Sequence, residues 1–339
     1  MEPTPQITPN GVIDARRLKA LAAHLGFTAC GIAPATPVDD TTADTLRHWI
    51  AEGHNGTMHY MANHTHLRLD PTQLLPAARS IIAVALNYYP QQQLTPTQYQ
   101  FAYYAYGTDY HDAVKNRLRT LAAHLHPDFT PTSATDTPPY LICCDTKPLL
   151  ERHWAWRAGL GWTGKNTNLI IPNAGSYFFL GEIITTLPAD HYDTPLPSRC
   201  GTCDHCLRAC PTGALCRPHH LDARRCLSYL TIEHRGDIPP HLHTALGTTI
   251  YGCDRCQQAC PHNRSARPTT IPEFAPSPQV LAMQPADWQH LTPDTYRQLF
   301  RHSAVKRAKY DGLMRNIACA TPPSAVVSLL PSNGLIMSV

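Results

Sequence analysis

Hydrophobic residues recur along the first half of the chain in the two periods that distinguish helices from strands. Over residues 14–25 the apolar side chains fall three or four positions apart, and Gly26 follows where a left-handed residue commonly ends a helix. Helical patterns also occupy 112–125 and 149–158. Short apolar runs typical of buried strands lie at 27–32, 80–89, 140–144, 168–171 and 177–185. The alternation of the two patterns predicts an α/β or α+β layer.

The segment 172–176 (PNAGS) has the composition of a tight turn between two of the predicted strands. Strands joined by such a turn pair antiparallel. At least part of the sheet should therefore be antiparallel, and we predict a mixed sheet.

The composition changes twice along the chain, and each change predicts a boundary. After Leu187 the sequence becomes rich in Pro, Asp and His and then in Cys, and around 264–280 Pro and Thr become frequent. We therefore predict an α/β domain at 1–190 and a cysteine-rich domain at 191–265. The remaining residues, 266–339, form a C-terminal segment with helical patches such as 296–302 and several basic residues.

Charge and cysteine content narrow the setting in which the protein works. The 28 Lys and Arg against 25 Asp and Glu give a net charge of +3, which permits a nucleic-acid partner without demanding one. No apolar run is long enough to span a bilayer, and residues 1–10 lack the basic start and apolar core of a signal peptide. Thirteen cysteines without a signal peptide indicate metal or redox chemistry in a reducing cytoplasm.

The cysteine-rich segment contains the spacing that bacterial ferredoxins use for iron–sulfur clusters. Cys200, Cys203, Cys206 and Cys210 are separated by two, two and three residues, and Pro211 follows. In this pattern the first three thiolates bind one cubane and the fourth binds the other, because the short loop wraps a cube. The pattern predicts two [4Fe–4S] clusters and one-electron transfer.

A second cysteine run is incomplete, which leaves one ligand to be found elsewhere. It contains Cys253, Cys256 and Cys260 before Pro261, but Ile250 occupies the position of the leading cysteine. Cys226 is the obvious replacement. The crossed arrangement then assigns Cys200, Cys203, Cys206 and Cys260 to one cluster, and Cys210, Cys226, Cys253 and Cys256 to the other.

Structural zinc is the alternative for these cysteine pairs, although zinc ribbons do not require the full ferredoxin spacing. The remaining cysteines are at 30, 143, 144, 216 and 319. Those at 30, 143 and 144 lie in apolar runs, which favours inert buried thiols. The segment 159–164 matches G-x-G-x-x-G, but a helical pattern precedes it and a strand follows, so we predict that it binds no nucleotide.

Four stretches together resemble the epoxyqueuosine reductase family. They are 145–152 (DTKPLLER), 157–166 (RAGLGWTGKN), 222–231 (DARRCLSYLT) and 251–256 (YGCDRC). The resemblance extends over about residues 14–320, and its incomplete second cysteine run makes Cys226 the expected ligand. It implies a cobalamin, cob(II)alamin at rest, beside the two clusters. It also implies a tRNA substrate whose epoxyqueuosine is reduced to queuosine.

The resemblance also implies roles for individual residues. Asp145 matches the family's proton donor, and it follows a predicted strand, where ligands of α/β sheets commonly bind. Burial would raise the pKa of this carboxyl and a neighbouring arginine would lower it. Without the family match, Asp145 could simply cap the following helix. The implied cofactor contacts are Arg68, His111, Asp145, Arg152, Lys165, Asn166, Asn168 and Leu180.

The implied reaction passes electrons from an external one-electron donor through the clusters to cobalt, while Asp145 protonates the epoxide oxygen. The string 109–114 lacks the glycine of Asp-x-His-x-x-Gly, so no protein histidine is expected to bind cobalt through that motif. We expect a monomer with no membrane attachment. The alternatives are a corrinoid and iron–sulfur reductase of a small molecule, similar to reductive dehalogenases, or an electron-transfer module without catalysis.

Overall fold

The computed structural model describes residues 7, 8, 10–129 and 138–323. The strands in these ranges are β1 (Ala29–Pro34), β2 (Ser80–Asn87), β3 (Gln100–Phe101), β4 (Tyr140–Cys143), β5 (Trp162–Thr163), β6 (Leu169–Ile170), β7 (Phe178–Thr185), β8 (Leu215–Arg217), β9 (His220–Leu221) and β10 (Thr249–Tyr251). The α-helices are α1 (Ala15–His24), α2 (Asp40–Ala51), α3 (Thr65–Leu69), α4 (Tyr110–Leu125), α5 (Glu151–Arg157), α6 (His205–Arg208), α7 (Leu227–Ile232), α8 (His243–Leu246), α9 (Arg255–Gln258), α10 (Pro278–Ala282), α11 (Pro285–Gln289), α12 (Pro293–Leu299) and α13 (Lys309–Cys319).

The central sheet has four strands in the order β1-β2-β7-β4, and every neighbouring pair is antiparallel. The predicted layer of helices and sheet is confirmed in its α+β form, but the prediction of a mixed sheet is wrong for this sheet. Strands β2 and β4 do run in the same direction around α4, as a helical crossover favours. They are not neighbours, however, because β7 lies between them and pairs antiparallel with both. Within the described residues a parallel pair occurs between β3 and β10.

Helices cover both faces of this sheet, and β2 shows why. Ile82, Val84 and Leu86 pack with α1 and α4, whereas Ile81 and Ala83 pack with α5 on the other face. A strand buried on both faces reads as a continuous apolar run, which is the pattern that predicted it. Each such aliphatic side chain contributes roughly 1.5–3 kcal/mol on burial.

The turn at 172–176 forms, but it does not join two paired strands as predicted. Ile171 and Gly175 form an antiparallel bridge, whereas β6 pairs with β5 and β7 pairs with β2 and β4. A Cβ on Gly175 would lie 2.2 Å from Oδ1 of Asn263, so this close approach requires glycine. The turn thereby contacts the end of the cysteine-rich segment rather than closing a hairpin.

The chain after residue 266 packs onto both preceding segments. Trp288 is fully buried, and its ring centre lies 5.2 Å from that of Phe101. Nδ2 of Asn316 in α13 donates to the carbonyls of Thr231 and Ile250, at 2.8 Å each. The predicted helical patch at 296–302 corresponds to the end of α12. The three-domain division itself stays a prediction, and its residues 324–339 lie outside the described residues.

Among the described helices, none combines the length and apolar character needed to cross a membrane.

Candidate redox and catalytic site

The first predicted set of four cysteines lines one small cavity. Cys200 precedes α6 and Cys206 lies within it, while Cys260 follows α9, so two short helices bring the sulfurs together. Trp162 and Ile170 form an apolar wall, and the Trp162 ring centre lies 4.9 Å from that of His262. The cavity is lined by Lys165, Asn166, Ile170, Cys200, Cys203, Cys206, Cys260, Pro261 and His262.

The second predicted set lines a separate cavity of about 250 Å³. Its cysteines are Cys210, Cys226, Cys253 and Cys256. Cys226 stands at the N-terminus of α7, and this detached position is what replaces the cysteine missing before Cys253. Burial raises the pKa of the Cys226 thiol, and hydrogen bonds from the backbone of Tyr229 and Ser228 oppose that shift. The two cavities therefore divide the eight cysteines as the crossed ferredoxin arrangement predicts.

The spacing of the sulfurs differs from that of a single zinc ion. Four ligands around zinc lie about 3.8 Å apart when they are sulfurs. Within the described part of the chain, one group of three or more His, Cys, Asp or Glu has ligand atoms that all lie within 4.8 Å of one another. That group is Glu52, His54 and His220. Neither cysteine set meets this limit, so both sets suit a larger group better than one ion.

The segment 159–164, which resembles a nucleotide motif, leads directly into residues 165–168, which line the two cavities. It follows α5 and precedes β6, which confirms that the strand and helix required for nucleotide binding are in the wrong order. A Cβ on Gly161 would lie 2.1 Å from the carbonyl oxygen of Ile170, so this glycine permits close packing. Lys165 donates to the carbonyls of Gly201 and Cys203 at 2.6 and 2.7 Å. Asn166 lines both cavities.

Asp145 is held in a hydrogen-bonded network at the end of β4. The hydroxyl of Tyr110 donates to Oδ2 of Asp145 at 2.7 Å, and Nε2 of His111 lies 3.4 Å from the same oxygen. Nδ1 of His111 lies 2.6 Å from Oδ1 of Asp109. The backbone N–H of Asp145 donates to Glu151, so this side chain holds the turn between β4 and α5.

The network favours a negative Asp145 beside a positive His111. The hydrogen bond from His111 lowers the pKa of Asp145, more than partial burial raises it. The hydrogen bonds to Asp109 and Asp145 raise the pKa of His111 to about 9. The Asp145 side chain is 61% exposed, so a ligand placed against it would increase its burial. At neutral pH His111 is therefore protonated, and the neighbouring Asp145 carboxylate can accept that proton.

Two further carboxyl groups, the half-buried Glu151 and the fully buried Glu182, lie near the end of β4 that leads to Asp145. Glu182 on β7 is fully buried, and neither of its carboxyl oxygens has a hydrogen-bond partner. Burial raises its pKa well above the usual range, and burial raises the pKa of Glu151 to about 7. Unpaired buried carboxylates are costly, so we conclude that Glu182 is neutral.

The other predicted cofactor contacts are distributed around these features. Nη1 of Arg152 donates to the carbonyl of Thr167 at 2.8 Å. Nη2 of Arg68 donates to the carbonyl of Tyr60 at 2.7 Å, and its charge acts on Asp145. Leu180 is half-buried on the α5 face of β7. Arg152, Asn166 and Asn168 line the second cysteine cavity, whereas the ammonium of Lys165 is bound at the first.

An aromatic wall connects the second cavity with Asp145. Tyr104 lines the cavity, and its ring meets the ring of Tyr110 edge-on at 6.3 Å. Tyr110 is stacked on Phe179 at 4.3 Å and bonds Asp145. The two predicted centres are thus neighbours in the fold.

Several buried polar atoms near these features have no protein partner. They include Nδ2 of Asn166 and Nε of Arg68. Buried polar groups are normally hydrogen-bonded, so such atoms indicate room for a polar ligand. This donor set, together with the aromatic wall, fits a large group with a flat apolar body and polar arms.

Sequence reasoning missed the residues that complete the network. Tyr110 and Glu151 adjoin residues that were identified, but nothing in a single sequence shows that they contact Asp145. Glu182 interrupts an otherwise apolar run, and this interruption is the feature of the sequence that could have identified it. Arg307 reaches the same region from the C-terminal segment, where its guanidinium lies 5.8 Å from the ring centre of Tyr60.

Comparison with known families gives two matches, one over the cysteine-rich segment and one over a segment that ends just after Asp145. Residues 199–263 match a 4Fe-4S double cluster binding domain. Residues 68–146 match the family described as epoxyqueuosine reductase QueG, DUF1730. The first match covers all eight cavity cysteines, including the detached Cys226.

Relatives and solved structures agree with these matches. The epoxyqueuosine reductase of Cellulophaga algicola is 40% identical over 300 residues, which is 88% of this chain and 95% of that protein. A crystal structure of epoxyqueuosine reductase with an epoxyqueuosine-modified tRNA-Tyr stem loop is 31% identical, with a TM-score of 0.80 over 90% of this chain and 80% of that one. The Bacillus subtilis enzyme, solved with its catalytic aspartate loop swung out of the active site, is 30% identical over 90% and 80% of the two chains, with a TM-score of 0.79.

Proposed function

The chain belongs to the epoxyqueuosine reductase family, and from this premise we propose that its cysteine cavities and the Asp145 network form one reaction path. It is an oxidoreductase that reduces epoxyqueuosine to queuosine in tRNA. One observation supports the proposed path most strongly. The eight cysteines line two cavities, four in each, and an aromatic wall connects the second cavity with Asp145.

In this proposal the two cavities hold the two [4Fe–4S] clusters. Cys200, Cys203, Cys206 and Cys260 would bind one, and Cys210, Cys226, Cys253 and Cys256 the other. Bound clusters supply electrons one at a time. Lys165 fixes the loop that carries Cys203, and Asn166 touches both cavities, so the 164–168 loop positions the two sets relative to each other.

A cobalamin fits the region between the second cavity and Asp145. Arg68, Arg152, Asn166 and Asn168 would hold its polar arms, and Leu180 with the aromatic wall would contact its flat body. When bound, a cobalamin would supply a low-valent metal centre for reduction at the epoxide carbon. The unpaired donor atoms of Asn166 and Arg68 support this proposal, because a polar ligand would satisfy them.

The protein's own chemical contribution is a proton delivered at the right moment. Reduction of an epoxide to an alkene consumes two electrons and two protons, and it releases one water. We assign proton donation to the epoxide oxygen to Asp145. Enclosure of Asp145 by cofactor and substrate would raise its pKa, so that it takes the proton that His111 stores. The hydrogen bond from Tyr110 fixes the Asp145 side chain, and the hydrogen bond with Asp109 fixes the His111 ring beside it.

The substrate reaches this site on tRNA. An external one-electron donor, not identified by the sequence, must supply both electrons. We propose that the enzyme acts as a monomer in the cytoplasm, where cysteines remain available for clusters.

The test is conversion of an epoxyqueuosine-containing tRNA stem loop by the anaerobic, cluster-loaded and cobalamin-loaded enzyme, followed by mass spectrometry of the nucleosides. Asp145→Asn should retain the cluster and corrinoid absorption but lose turnover by about 10²–10⁴-fold, because it cannot supply the proton. Asp112→Asn, an exposed aspartate in the first turn of α4, is the matched control and should behave as wild type. Full activity of Asp145→Asn would refute the assignment, and absence of conversion by the wild type would refute the proposed reaction.

A further inference from the structure

Glu52, His54 and His220 form a cluster that the proposed reaction does not use. Glu52 ends α2, and His54 follows in a turn in which Gly53 and Gly56 adopt positive φ angles of 67° and 56°. His220 lies in β9 of the β8–β9 hairpin. Because 166 residues separate His54 from His220, no sequence motif reveals the group.

Three ligand atoms converge in this cluster. Nδ1 of His54 lies 3.0 Å from Nε2 of His220 and 3.1 Å from Oε2 of Glu52. Oε2 of Glu52 lies 3.7 Å from Nε2 of His220. Ligands at the zinc distances of His and Glu are separated by about 3.3–3.5 Å in a tetrahedron, which falls within the observed range.

A single hydrogen bond at Nδ1 of His54 accounts for one of its two short contacts. Nδ1 of His54 carries either one proton or one lone pair, so it can bond only one of its two close neighbours. If it donates to Glu52, it has no lone pair for His220. A cation at the centre would accept from all three atoms at once.

We propose that Glu52, His54 and His220 bind a zinc ion, with water in the fourth position. Two histidines and a glutamate are a known zinc ligand set that leaves one position open. The Glu52 side chain is 51% exposed, whereas those of His54 and His220 are 16% and 15% exposed. The open position therefore faces solvent on the glutamate side, and the site is separate from both cysteine cavities.

A carboxylate lies near the other ring nitrogen of His54, on the side where an outer carboxylate often orients a metal-binding histidine, but beyond hydrogen-bond distance. Oδ2 of Asp222 lies 3.9 Å from Nε2 of His54. Asp222 is buried and is itself held by Arg224 through contacts of 2.8 and 2.9 Å. The backbone of Ala223 also donates to the carbonyl of His54 at 2.9 Å. The ion would therefore connect the end of α2 to the segment that leads into Cys226.

The test measures zinc binding by the anaerobic holoenzyme without tRNA, so it does not depend on turnover. The clusters are first loaded to about eight irons per chain, which occupies the cysteines. Zinc is then titrated against a competing chelator. We expect one equivalent of tightly bound zinc and a higher melting temperature when zinc is present.

His220→Gln should weaken zinc binding by at least about 100-fold, and Glu52→Gln by at least about 10-fold. His48→Gln, an exposed histidine on α2, is the matched control and should bind zinc as wild type does. Zinc-edge anomalous diffraction from wild-type crystals should place a peak among the three ligand atoms. If His220→Gln also loses iron, its zinc affinity cannot be interpreted. The zinc affinity of Glu52→Gln and the position of the anomalous peak then test the proposal. Equal binding by wild type and Glu52→Gln, or a peak elsewhere, would overturn the proposal.

Discussion

At the scale of single residues, the chemistry of Asp145 depends on contacts that its own sequence neighbourhood only partly contains. The sequence left open whether the pKa of this carboxyl is raised by burial or lowered by a neighbouring charge. The structure answers that it is lowered, and the main cause is His111 rather than an arginine. His111 lies 34 positions earlier in the chain, in the first turn of α4, and the β4–α5 turn places the Asp145 carboxyl beside it. The proton is therefore held next to its proposed donor until the site is closed.

The first prediction concerns the pH dependence of turnover. The pKa of His111 is raised to about 9, so the network keeps its proton up to that pH. Turnover by the wild type should therefore fall as the pH rises through about 9. In His111→Gln the fall should begin at lower pH, because Asp145 must retain the proton without its neighbour. Rates measured from pH 6 to 10, with His124→Gln on α4 as control, test this.

The same linkage affects stability, with a sign that can be checked. A histidine whose pKa is raised in the folded state stabilises the fold fully below its unfolded pKa of about 6.5. That contribution is lost as the pH rises through about 9. Wild type should therefore lose more of its thermal stability between pH 7 and 9.5 than His111→Gln does. An identical loss in both would contradict the assigned ion pair.

A second prediction concerns Thr167, which adopts a positive φ of 67° in the loop between the cysteine cavities. A β-branched residue is strained in this conformation, whereas asparagine tolerates it. Thr167→Asn should raise the unfolding free energy by up to about 1 kcal/mol. Thr163→Asn in β5, where the backbone is extended, should bring no gain. The melting temperatures of the two holoenzymes provide the measurement, and a lower value for Thr167→Asn would refute the argument.

At the scale of secondary-structure elements, prediction succeeded where the signal is local. The buried strands β2 and β7 read as continuous apolar runs, and Asp14 caps α1 where the periodic pattern begins. Helix α2 was missed, although Ala43, Leu46 and Trp49 recur at helical spacing. Ala43 is its one buried residue, so the stripe contributes little to the core. The antiparallel order of the sheet was also missed, since the insertion of β7 between β2 and β4 is a long-range event.

The cysteine sets were predictable for the same reason. Cluster spacing is imposed by a loop that wraps a cube, so seven of the eight positions follow from two short runs. The eighth, Cys226, was identified by the absence of a leading cysteine before Cys253. Its position at the N-terminus of α7, facing the second cavity, could not be read from spacing.

The third prediction tests this detached position. Cys226→Ala should lower the iron content from about eight to about four per chain and remove one of two cluster signals in electron paramagnetic resonance. Cys216→Ala is the control, because Cys216 is an exposed cysteine of the same segment. Cys226→Ser distinguishes loss of a sulfur ligand from loss of packing. Retention of eight irons in both Cys226 variants would show that another residue is the ligand.

At the scale of the whole molecule, the candidate active site is assembled from distant parts of the chain. Asp145 comes from the sheet, Tyr60 from the segment before α3, and Arg307 from the segment before α13. Both Nε and Nη2 of Arg307 donate to Glu233 at 2.8 Å, which fixes the guanidinium beside the Tyr60 ring. The mild net charge of +3 did not predict that Arg307 and Tyr60 lie together near Asp145, because composition carries no information about where residues are placed.

The last prediction assigns Tyr60 to the recognition of tRNA. Among the described residues Tyr60 is the large hydrophobic side chain that remains exposed, at 44%, and its charge neighbours include Asp145 and Arg307. An exposed aromatic ring beside an arginine is suited to stack on an unpaired base, which is worth about 1–3 kcal/mol per base. Tyr60→Ala should therefore weaken binding of the tRNA stem loop by about 5–150-fold without changing the cluster spectrum.

Tyr60→Phe keeps the ring and should bind as wild type does, because stacking does not require the hydroxyl. Fluorescence anisotropy with a labelled stem loop measures both variants at one fixed salt concentration, since phosphate contacts vary with salt. Equal affinities of Tyr60→Ala and Tyr60→Phe would show that the ring does not touch the RNA and that the tRNA approaches Asp145 from another side.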